Sequence, residues 1–138
     1  MNNQQPSSAF VLASWGALLT GIATFLFGLM NAGMPLSSKG FYFTILMFGL
    51  FGAVSVQKSV RDQLEGVPVT QIYYGLSWVA TLLPIALLVI GLWNASYLTL
   101  SEKGFYGVSF ILSLFAAVVV QKNVRDAAMF GRPAENAL

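Results

Sequence analysis

The chain has no cysteine and no histidine, and only 9% of its 138 residues are charged. The missing cysteine excludes disulfides, thiolate chemistry and cysteine-based metal sites. The missing histidine removes the commonest metal ligand and the usual general base near neutral pH. A soluble domain carries about 25% charged residues, so a chain this poor in charge is out of place in water. The net charge of +2 leaves no basic stripe to neutralise phosphates, and nucleic acid is not an expected partner. Phosphate-binding glycine fingerprints, Walker loops and zinc motifs are all missing. An enzyme would have to work with Ser, Thr and Tyr and no base beside them. The expectation is a non-enzyme, with no catalytic residue, no cofactor and no metal.

What the chain has is apolar length. Uncharged stretches run from about Ala9 to Met34, Gly40 to Gln57, Ile72 to Ala95 and Gly104 to Gln121. A helix needs about 20 residues to cross a hydrocarbon core of about 30 Å. The second and fourth stretches just reach, and the first and third are long enough to tilt or protrude. The runs are continuous rather than alternating, which is not the pattern of a membrane barrel. Met1 to Ser8 has no Lys or Arg, so it lacks the basic start of a signal peptide and reads as a polar tail before a retained membrane helix.

The chain also repeats itself. Gly28-Leu29 followed by Asn31-Ala32 returns 63 positions later as Gly91-Leu92 followed by Asn94-Ala95. Lys39-Gly40-Phe41-Tyr42 returns 64 positions later as Lys103-Gly104-Phe105-Tyr106. Gln57-Lys58-Ser59-Val60-Arg61-Asp62 returns, also 64 later, as Gln121-Lys122-Asn123-Val124-Arg125-Asp126. One residue was therefore inserted after Asn94, and each unit holds two apolar stretches. The predicted fold is all-α and polytopic, with four transmembrane helices as two tandem parallel helical hairpins. The expected organisation is a polar tail over 1–8, a first membrane repeat over 9–66 and a cytoplasmic linker over 67–71. A second repeat over 72–130 and a polar, frayed tail over 131–138 complete it.

Local signals agree with this division. Pro35 to Ser38 breaks the first hairpin and Tyr97 to Ser101 the second, with Ser37 and Ser101 as expected N-caps. Gly66 and Pro68 suit a helix stop and a turn between repeats. The ends holding both termini and the linker carry Lys58, Arg61, Lys122, Arg125 and Arg132, against Lys39 and Lys103 on the other side. Five against two predicts both termini in the cytoplasm.

Five groups of residues invite a role. The repeated Lys58, Arg61 and Asp62, with Lys122, Arg125 and Asp126, place Lys and Asp four apart on one helix face, as Arg61 and Glu65 are in the first repeat. They read either as helix ends anchored to anionic headgroups or as contacts for a partner or a specific lipid. Asn31 and Asn94 near the far helix ends suit an interhelical clasp or a helix C-terminal carbonyl. Ala9, Ala13, Ala17 and Gly21 recur every four positions, and Gly49, Gly52 and Ala53 match Ser113, Ala116 and Ala117; this spacing lets backbones approach closely, within the chain or between chains. Pro84, aligned with Gly21, suits a kink. Phe41, Tyr42, Phe105, Tyr106, Tyr97 and Trp93 on one side, with Tyr73 and Tyr74 on the other, read as interfacial belts, and Trp15 and Trp78 align a little deeper.

Gly-Leu-x-Asn-Ala, then Lys-Gly-Phe-Tyr, then Gln-Lys-x-Val-Arg-Asp, each in two copies, resemble the bacterial inner-membrane YiaA/YiaB family over about Ser8 to Phe130. The resemblance implies a bacterial cytoplasmic-membrane location and a two-helix unit present twice; it implies no activity and no site residues. The expected role is a non-enzymatic scaffold or accessory subunit that self-associates or docks another membrane protein, with anionic membrane lipids as further partners. The alternative is an oligomeric channel or small-solute transporter lined by Thr20, Thr24, Thr44, Ser55, Thr81, Ser109 and Ser113.

Overall fold

The computed structural model describes residues 5–131. Its helices are α1 (Ser8–Asn31), α2 (Leu36–Leu64), α3 (Gln71–Trp93) and α4 (Leu100–Gly131). Each is long and apolar enough to cross a membrane, and the described residues contain no strand. The first four residues of the expected N-terminal tail, and the C-terminal tail from Arg132 onward, lie outside the described residues.

Polar side chains set the helix starts. Ser7 accepts from the Phe10 amide and Thr70, its repeat equivalent, from the Tyr73 amide, each satisfying one of the orphan donors of a first turn. The expected caps Ser37 and Ser101 fall inside first turns instead, because α2 starts after Pro35 and α4 after Thr99. Proline fixes a φ suited to a helix entry. Thr99 forms a capping box with Glu102, the Thr99 amide donating to Oε1 at 2.8 Å and Oγ1 accepting from the Glu102 amide at 3.2 Å. α2 stops where Gly66 takes φ +76°. The Val67 amide donates to the Asp62 carbonyl and the Gly66 amide to the Gln63 carbonyl, closing the last turn in a Schellman motif that glycine enters without a Cβ penalty.

The apolar stretches understate two helices. They end at Gln57 and Gln121, yet α2 and α4 run 29 and 32 residues against 24 and 23 for α1 and α3. At 1.5 Å per residue the longer pair reach about 43 and 48 Å. Their additional turns carry the repeated charges beyond the apolar section, at the end that also holds the linker (the linker end, opposite the turn end).

Packing departs from a pair of closed hairpins. α1 packs mainly on α4 and α3 mainly on α2, with α2 and α4 together at the centre; α1 barely touches α2, and α3 barely touches α4. Each outer helix thus lies on the second helix of the other repeat. The reason is visible in the contact surfaces. A Cβ on Gly21 of α1 would sit 2.6 Å from Ser113 Oγ of α4, and one on Gly52 of α2 would collide with the Ala80 carbonyl of α3. Small residues permit this approach, which is the source of helix association where lipid supplies no hydrophobic drive. Pro84 adds to it. Proline lacks the N–H that would bond the carbonyl four residues earlier, which is that of Ala80, and Gly52 brings α2 onto this released oxygen.

An approximate two-fold axis runs between α2 and α4. Tyr42 and Tyr106, equivalent residues, stack across it at 6.2 Å between centroids and 12° between planes. Gly28 faces Phe105 as Gly91 faces Phe41. Tyr42 and Tyr106 are 2% and 3% exposed, so these two leave the expected aromatic belt and join Phe25 and Phe110 in the core. Aromatic pairs contribute about 0.5–1.5 kcal/mol beyond their area burial, and Tyr106 also pairs edge-on with Phe25. Phe41, Phe105, Trp93, Tyr97 and Tyr73 stay exposed, as do Trp15 and Trp78.

Candidate functional site

At the linker end the repeated Gln-Lys-x-Val-Arg-Asp segments of α2 and α4 meet. Lys58 Nζ donates to Asp62 Oδ2 at 2.8 Å and Lys122 Nζ to Asp126 Oδ2 at 2.9 Å, each one turn along its own helix. The arginines cross over. Arg61 donates to Asp126, and Arg125 donates to Asp62 at 2.5 Å. Glu65 joins from α2's C-terminus, accepting from Arg61 Nε at 2.6 Å and from Arg125 at 2.8 Å. Its repeat equivalent is Met129, so this third carboxylate breaks the symmetry. Asp62 is 5% exposed and Asp126 2%, a degree of burial an acidic side chain tolerates only when paired and hydrogen-bonded.

The hydrogen bond from Arg125 holds the Glu65 carboxyl below the usual glutamate range, with Arg61 acting the same way and desolvation opposing both. A carboxyl lowered on folding adds stability that is complete above its ordinary pKa of about 4.3. That part is lost as pH falls through the lower folded value.

One layer in from the charges, Asn123 on α4 donates to Ser14 Oγ on α1 at 3.1 Å, both buried, and Ser14 in turn donates to the Val11 carbonyl. Ser59 stands at the equivalent place on α2. Among the described residues its hydroxyl is buried without a hydrogen-bond partner, as are Gln57 Oε1 and Asn123 Oδ1. This polar layer was not legible in the sequence, because Ser59 and Asn123 occupy the one position of the motif that varies between repeats.

The other named residues divide. Gly49, Gly52, Ala53, Ser113, Ala116 and Ala117 are all buried between helices. Asn31 and Asn94 are exposed and cross to no other helix; each side-chain amide donates to a carbonyl four residues back, Phe27 and Ile90, at 2.8 Å. Of the polar residues considered for a conducting path, Thr81, Ser109 and Ser113 donate to carbonyls of their own helices. Thr20 and Thr44 face outward while Ser55 is buried. Thr24 is half-buried. The α1 stripe behaves differently from end to end: Gly21 is buried, Ala17 half-buried, and Ala13 and Ala9 exposed, with Gly16 exposed beside them and nothing within 4 Å of its would-be Cβ.

Comparison with known proteins follows the same division of the chain. The family model described as the yiaA/B two helix domain matches residues 10–62 and again 73–126. The inner membrane protein YiaA of Escherichia coli strain K12 is 57% identical over 123 residues, covering 89% of this chain and 84% of that protein. No solved structure matches.

Proposed function

This chain belongs to the yiaA/B two-helix domain family, and from that premise we propose that it is a multi-pass inner-membrane protein with both termini in the cytoplasm, acting as a non-enzymatic scaffold or accessory subunit. It associates with itself or with another membrane protein. The location rests on the similarity to an inner membrane protein. The orientation rests on the excess of Lys and Arg at the linker end.

The observation that carries the role is the outward half of the α1 stripe. Ala9, Ala13 and Gly16 face away from the protein, although small residues in this spacing serve close helix approach. Gly21 uses that property inside the chain; Ala9 and Ala13, with Gly16 beside them, present it to a neighbour. Lys58 and Lys122, whose side chains are 52% and 49% exposed, remain available to anionic headgroups while also pairing with Asp62 and Asp126.

The test is the native mass of the complex, extracted from its own membranes with lipids retained, for the unaltered chain and for Ala13→Leu with Gly16→Leu. Because both positions face outward, the variant keeps its melting temperature, and the expected result is loss of the larger complex. An unaltered chain that is strictly monomeric with no co-extracted partner, or a variant complex of unchanged mass, overturns the proposal.

A further inference from the structure

Because α3 and α4 splay apart, an apolar groove of about 640 Å³ opens between them. Leu88 and Leu92 of α3 and Gly107, Ile111 and Phe115 of α4 form its walls. The same side of the first hairpin holds a smaller recess of about 400 Å³, and there Phe43 stands where the second repeat has Gly107. Nothing lies within 4 Å of a Cβ built on Gly104 or Gly107, so the groove floor is glycine with free space above it.

We propose that this groove is a lipid site: it holds one acyl chain of a bilayer phospholipid whose phosphate is engaged by Lys103. Length selects the occupant. From Gly104 to Phe115 α4 rises about 16 Å at 1.5 Å per residue, which is one leaflet of a hydrocarbon core of about 30 Å. A helix from a second copy would need a groove through both leaflets; an acyl chain needs one. The wall residues are entirely apolar, as a chain requires. Charge agrees with length. Lys103 precedes Gly107 by four positions and so shares its helix face, at the turn end where headgroups lie. Its equivalent, Lys39, donates to the Met30 carbonyl at 3.3 Å, and neither ammonium forms an ion pair among the described residues. The acid beside it in sequence, Glu102, is committed to the Thr99 cap. The second hairpin is therefore built to keep a lipid, and Phe43 partly fills the corresponding space in the first.

The experiment reconstitutes the full chain in nanodiscs of phosphatidylethanolamine and phosphatidylglycerol, releases it into a native mass spectrometer, and counts phospholipids kept per chain as activation energy rises. The unaltered chain is expected to keep one phospholipid to the highest energy. Gly107→Phe, which places a ring in open space, should lose that lipid with its melting temperature unchanged. Phe43→Gly should gain a second, and Lys103→Gln should release the first at lower energy. Equal lipid retention by the unaltered chain and Gly107→Phe overturns the proposal. So does a dimer that Gly107→Phe dissociates without changing lipid retention, which would put a second copy in the groove. Should Gly107→Phe fail to fold, Phe43→Gly and Lys103→Gln decide: both retaining the unaltered number to the same energy overturns the lipid site.

Discussion

Removing the Arg61 guanidinium leaves the carboxylate of Asp126, only 2% exposed, with Lys122 as its remaining cation among the described residues. Breaking a buried pair destabilises by about 3–5 kcal/mol when the remaining charge is left bare, an upper bound here because Lys122 stays, while replacing both partners with apolar groups is far milder. Arg61→Leu is therefore expected to lower the melting temperature in lipid strongly, and Arg61→Leu combined with Asp126→Leu to recover part of the loss. Additive losses in that double-mutant cycle would show that the two side chains do not act on each other. At this scale the sequence was partly legible. Spacing of four residues within one helix exposes the Lys58–Asp62 and Lys122–Asp126 pairs. The Arg61–Asp126 pair spans 65 positions and depends on α2 and α4 standing side by side, which no local spacing encodes.

Elements were legible from their apolar runs, but their ends and faces were not. A run reports where lipid begins and ends, not where the backbone stops being helical, so α2 and α4 continue past Gln57 and Gln121 on charges that satisfy one another. Small-residue spacing marked Gly52 and Ala116 as equivalents without distinguishing them. In the structure only Gly52 lies against a carbonyl released by proline, since Gly21, not Pro84, stands opposite α4. Gly52→Ala pushes a methyl against backbone that cannot yield, and overpacking of this kind costs about 1–3 kcal/mol. The alanine already present at position 116 shows what the other pair accommodates. A drop in melting temperature for Gly52→Ala, with little change for Ala53→Gly beyond its lost methyl, is the expected outcome; an unaltered Gly52→Ala protein would mean α2 and α3 are less closely packed than this.

For the whole molecule, the repeat announced two hairpins, and the count of four helices holds. Which helix packs on which is decided by matching surfaces across repeats, and both repeats are required for either to close. Chains cut at the 67–71 linker should therefore depend on each other: residues 1–66 and 67–138 expressed together co-purify as one species, while each expressed alone lacks its cross-repeat partner and is unstable as a monomer. Stable monomeric halves, read from their mass in lipid, would contradict the interleaved packing. Interleaving also has a consequence in time. α1 leaves the ribosome well before its packing partner α4, and roughly 100 residues of synthesis at about 5–20 residues per second separate them by some 5–20 s. Through that interval α1 has to survive as a lone span, and it contains no ionisable side chain. The charged ends belong to α2 and α4, so nascent α1 waits in lipid with no buried charge to satisfy until α4 arrives.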